Sequence, residues 1–143
     1  MGSLSAADLV GTPIRLHGIL LGRPVDLVLD SSCRRVLGFV VESGDEAPRF
    51  LPFAASQPGE NVIAVASALM LLDDVAFYRT RGASFRALLG THVEHAGVPA
   101  GALVDMHLGH AGDVTELEVE VDGVRRRVDA AGTTFAAAAA TAA

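Results

Sequence analysis

A chain of 143 residues, half of them hydrophobic, has the apolar material for one compact core and is excluded from the disordered class. Its net charge of −6, with a pI near 5.2, has the wrong sign for a protein that binds by neutralising phosphates, so no nucleic-acid partner is expected. The longest uncharged apolar stretch inside the chain, Val62 to Leu72, runs 11 residues, short of the roughly 18 that a membrane span needs.

In chain order, Met1 to Asp8 shows neither a basic region nor an apolar one, so no secretory signal is expected. The single Cys33 cannot form an internal disulfide, which suits a cytoplasmic location. An Ala-, Gly- and Arg-rich composition without lysine points to a GC-rich bacterial genome. Leu9 to Asp30 aligns without a gap on Leu88 to Gly109, at an offset of 79. Identical pairs are Leu9/Leu88, Gly11/Gly90, Thr12/Thr91, Gly18/Gly97, Gly22/Gly101, Val25/Val104, Asp26/Asp105 and Leu29/Leu108. After one gap, Arg35 to Glu42 matches Asp113 to Glu120, and Pro52 to Ala55 matches Val128 to Ala131.

The first unit, residues 9–66, reads as strands joined by tight turns. Val25 to Asp30 and Val36 to Val41 flank the turn chemistry of Asp30-Ser31-Ser32-Cys33. Residues 67–87 form a connector. Ala68, Leu69, Leu71, Leu72, Val75, Ala76 and Phe77 recur at near-helical spacing, and Ser84 is placed to cap a second short helix from Ser84 to Leu89. In the second unit, residues 88–135, Val114 to Val121 alternates cleanly and Asp122-Gly123 supplies a two-residue turn before Val124 to Val128. That turn sets Glu120 opposite Arg125 and Glu118 opposite Arg127, and leaves Arg126 on the other face with Val119. The alanine-rich tail, 136–143, has no apolar face to bury and is expected to be disordered.

Reactive groups do not converge in this reading. His92 and His95 fall on opposite faces of a strand; Asp105 and His107 share a face but lack a third ligand, and with His110 they are the weak candidates for a metal, so no metal site and no cofactor are expected. Cys33, beside Arg34 and Arg35, has a setting that would favour the thiolate, yet no base adjoins it. There is no nucleophile elbow or phosphate loop, and the chain is not expected to be an enzyme. The duplicated Asp26 and Asp105 are read as residues that fix a turn or strand edge, with a cation bound at the interface of the two units as the alternative.

Val28-Leu29-Asp30, Arg35-Val36-Leu37-Gly38-Phe39-Val40-Val41-Glu42 and Leu51-Pro52-Phe53-Ala54-Ala55 together resemble the pattern of the PRC-barrel family. The second unit is a diverged copy, with Gly109 for Asp30, Glu116 for Gly38 and Asp129 for Phe53. The family includes domains of the H subunit of photosynthetic reaction centres and of a maturation factor of the small ribosomal subunit. The resemblance implies a mainly β fold of two PRC-barrel-like small β-barrel repeats with short connecting helices. It also implies a non-catalytic protein-interaction or assembly adaptor, with a protein partner or self-association. A small-ligand or metal-binding protein using the groove between repeats is the alternative, and a ribosome-assembly factor is a further one. Leu20, Leu21, Phe50 and Phe53, apolar residues in or beside turns, are expected at the partner-binding surface together with Arg126.

Overall fold

The computed structural model describes residues 4–44 and 46–135, so the expectation for the alanine-rich tail lies outside the described residues. The elements run β1 (Leu4–Ser5), α1 (Ala6–Leu9), β2 (Ile14–Leu16), β3 (Ile19–Leu29), β4 (Val36–Glu42) and β5 (Arg49–Pro52). A 3-10 turn (Phe53–Ala55) leads into β6 (Ser56–Pro58) and β7 (Ile63–Val65). A second 3-10 turn (Ala68–Met70), α2 (Val75–Arg81), β8 (Ala83–Ser84) and α3 (Phe85–Leu88) follow. The chain ends in β9 (His92–His95), β10 (Val98–Leu108), β11 (Val114–Val121), β12 (Val124–Asp129) and β13 (Thr133–Phe135).

Mainly β architecture is therefore observed, in two sheets, one curled as a half-barrel. One sheet has the order β5-β4-β3-β2-β7-β6, with β8 added to β3; the other has β12-β11-β10-β9-β13, with β1 added to β10. Each is built on a long central strand entered from a hairpin whose two turn residues are both left-handed. These are His17-Gly18 in the first copy and Ala96-Gly97 in the second, the geometry that follows the natural strand twist. β-Bulges recur at matched places, between Pro24 and Asp26 and between Leu103 and Asp105.

The added strands show how the copies are joined. β1 precedes the first unit yet pairs with the second unit's β10, Ser5 opposite His107, while β8 precedes the second unit and pairs with the first unit's β3, Ser84 opposite Val28. Each duplicated aspartate then receives the other copy's helix. Asp26 accepts from Ser84 Oγ at 2.5 Å and from the Arg86 amide at 3.0 Å; Asp105 accepts from Ser5 Oγ at 2.5 Å and from the Ala7 amide at 2.9 Å. The same serines cap their own helices, through the amides of Ala87 and Asp8. A two-bond bridge completes the exchange, with the Val36 amide donating to Gly112 O and the Val114 amide to Arg34 O.

One hydrophobic cluster spans both sheets, including Leu27, Phe39 and Phe85 with Leu103, Met106 and Leu117. A shared core was expected from the length, and burial at roughly 25 cal/mol per Å² of apolar surface is the main force holding the copies together. The connector's near-helical spacing yields two short helical pieces, the second 3-10 turn and α2, with Leu72 drawn out between them. Its backbone exchanges both hydrogen bonds with Phe50, each 2.7 Å, and the helix forms only from Val75.

Candidate functional site

The two sheets differ most on their outer faces. In the first, Val28, Val40 and Phe50 form a second apolar cluster closed by Val75, and Tyr78 of α2 stacks on Phe50 with ring centroids 3.8 Å apart. Strand register matches Val28 to His107, Val40 to Glu118 and Phe50 to Arg127 in the second sheet, because Asp26 opposes Val40 as Asp105 opposes Glu118. The equivalent face is thus polar, and no counterpart of α2 lies over it among the described residues.

On this face His107 Nε2 and Glu118 Oε1 are 3.0 Å apart, with the His107 side chain 7 % exposed and that of Glu118 18 %. The hydrogen bond to His107 holds the Glu118 carboxyl below its usual range, against the opposing effect of burial, with help from the charges of Arg125 and Arg127. Asp105 is the neighbouring acid, and one donor atom from each of Asp105, His107 and Glu118 lies within 4.8 Å of the others. A cleft of about 490 Å³ opens beside His107, lined also by Ser5, Asp8, Glu60, Asn61 and Arg127.

The expected charge ladder forms in part. Glu120 opposes Arg125 and Glu118 opposes Arg127 in register, but of the two expected charge pairs only the first forms: Arg125 is 3.3 Å from Glu120 and also 3.6 Å from Glu118, while Arg127 reaches diagonally to Glu116 at 3.5 Å instead of to Glu118. Asp122 and Gly123 both take positive φ, as a type I′ turn requires. Arg126 opposes Val119, is exposed, and has no carboxylate partner among the described residues. On its outer side β12 meets no strand among the described residues, whereas β5, its counterpart, is bridged by Leu72.

Other expectations fare unevenly. Leu20 is exposed and Leu21 half-buried against the core. Phe50 and Phe53 are buried, which corrects their placement at the surface. Phe50 lies between Gly38 and Tyr78, and Phe53 stacks on Phe39 and packs against Gly112 of the other copy. A local turn signal cannot show that a distant segment covers it. Of the weak metal candidates, His107 is buried, with β1 lying beside it; His110 is exposed in a turn and outside the three-residue group. Glu118, the missing third member, comes from the adjacent strand; the signal for it was the predicted Glu118–Arg127 pair combined with the register of β10 on β11. The Cys33 setting is also corrected: burial, then the Asp30 charge, push the thiol up.

Ile19, Leu69, Val98 and Val124 are exposed apolar residues elsewhere, and an apolar-lined groove of about 780 Å³ runs past Ala54, Val62, Ala64 and Met70. No helix is long and apolar enough to cross a membrane among the described residues. No protein-family model matches the chain, and no curated protein matches it.

Proposed function

We propose that this is a non-catalytic interaction module of the PRC-barrel type, acting in the cytoplasm as an adaptor, with the second sheet's outer face and β12 as its docking surface. The observation that carries the reading is the asymmetry of a duplicated fold: the first copy's outer face is covered by α2 and its edge strand bridged by Leu72, and among the described residues the second copy has no counterpart of either. An open strand edge is a template for another strand. Arg126 on β12, exposed and without a carboxylate partner among the described residues, favours an extended partner segment carrying a carboxylate. Self-pairing of β12 is disfavoured, because an antiparallel copy would set arginine against arginine.

The test is capture of a partner from the native host with the full chain, followed by hydrogen exchange on the purified complex. Protection of β12, with capture lost in Arg125→Glu/Arg126→Glu, is the expected result. Capture unaffected by that variant and no protection at β12 would sink this surface. Co-sedimentation with small ribosomal subunits in low salt separates a ribosome-assembly role from other adaptor roles.

A further inference from the structure

His107 and Glu118 stand where the first copy has Val28 and Val40. Two buried valines would stabilise the same scaffold by removing apolar surface from water, whereas a buried ionic pair is often no better than apolar residues of similar volume. The first copy shows that the fold closes without them. Their presence, largely buried beside a cleft, calls for a reason other than folding.

The donor geometry supplies one. Ligands about 2.0–2.1 Å from a tetrahedral zinc ion lie roughly 3.3 Å from one another. His107 Nε2 and Glu118 Oε1, 3.0 Å apart, need separate by only a few tenths of an ångström to admit an ion in place of the shared hydrogen. Asp105 completes a set of three donor atoms within 4.8 Å of one another. Its carboxylate is oriented by the Ser5 hydroxyl and by the amides of Ala7 and Met106, the kind of outer contacts that fix a ligating carboxylate. Asp26 makes the corresponding bonds to Ser84, Arg86 and Leu27 without a histidine or glutamate neighbour, so the structural role and the ligand role are separable between the copies. The cleft reaches the group at His107, and its wall carries the two acids Asp8 and Glu60 against the one cation Arg127.

We propose that Asp105, His107 and Glu118 bind one divalent cation of the zinc type. Two carboxylates balance the ion's charge, and the imidazole selects a transition-series or zinc ion over magnesium or calcium. His107 ligates through Nε2 as a neutral ring, its remaining proton on Nδ1, so any second proton is released on binding.

The experiment is zinc titration of the chelator-treated full chain, followed by native mass spectrometry and thermal unfolding. Wild type is expected to gain one zinc per chain, removable by chelator, and to unfold at a temperature higher by about 5 °C or more when zinc exceeds its Kd roughly a hundredfold. His107→Val/Glu118→Val, which installs the first copy's residues, is expected to stay folded by circular dichroism and to lose both effects. Glu118→Gln, nearly isosteric, provides a second arm and is expected to bind at least tenfold more weakly. His92→Ala/His95→Ala is expected to bind as wild type does, and magnesium or calcium to give no shift. Absence of a chelator-sensitive mass increment in wild type would overturn the proposal. So would equal zinc binding by the double-valine variant or by Glu118→Gln.

Discussion

Asp26 and Asp105 each hold a serine hydroxyl and a helix amide of the opposite copy, together with the amide of the next residue, Leu27 or Met106. Removing either carboxylate leaves those donors without their acceptor. Asp26→Ala and Asp105→Ala are therefore each expected to cost about 2–3 kcal/mol, read as a lowered urea midpoint at unchanged slope. The clamp bonds match, but Asp105 alone stands beside another carboxylate, Glu118, so Asp26→Ala is expected to cost at least as much as Asp105→Ala; the reverse order would argue against equivalent clamps. Glu118 behaves differently, since its carboxyl is held below the ordinary glutamate value by His107. A group depressed on folding adds stability above its unfolded pKa and loses it as pH falls through the folded one. Thermal unfolding in chelator should show wild type losing more stability than Glu118→Gln on acidification below the usual glutamate range. Cys33, with its thiol pushed up by burial and by Asp30, should react more slowly than free cysteine with an alkylating reagent near pH 8, as followed by mass spectrometry.

At the scale of elements, the β11–β12 hairpin depends on a turn with positive φ at both Asp122 and Gly123. Gly123 has open space where a Cβ would sit, so Gly123→Ala is a test of backbone conformation alone, with an expected cost of about 1 kcal/mol by denaturant unfolding. Local pattern made this hairpin legible: alternation marked the strand, Asp-Gly marked the turn, and together they set which glutamate faces which arginine. The connector was only half legible. Its helical spacing predicted α2, but Leu72 leaves the helical path to pair with Phe50, a bond between segments that periodicity does not relate.

Across the whole molecule, the exchange of β1 and β8 between the copies and the single core through both sheets leave neither copy able to close alone. Unfolding should be one cooperative transition, with far-UV circular dichroism and hydrogen exchange of β3 and β10 giving coincident midpoints. Two separated transitions would show that the copies fold independently.

By itself the sequence determined the duplication, the predominance of strands, the hairpin turns, the register of β11 on β12, and the recurrence of an aspartate in each copy. These are local signals, carried by residues close together along the chain. The tertiary structure alone decided that each aspartate serves the other copy's helix, across 58 residues for Ser84 and Asp26 and 100 for Ser5 and Asp105. It alone placed Phe50 under Tyr78, Phe53 against Gly112, and Glu118 beside His107. Contacts of that span depend on how two similar units cross one another, and an alignment of the units records only that they are alike.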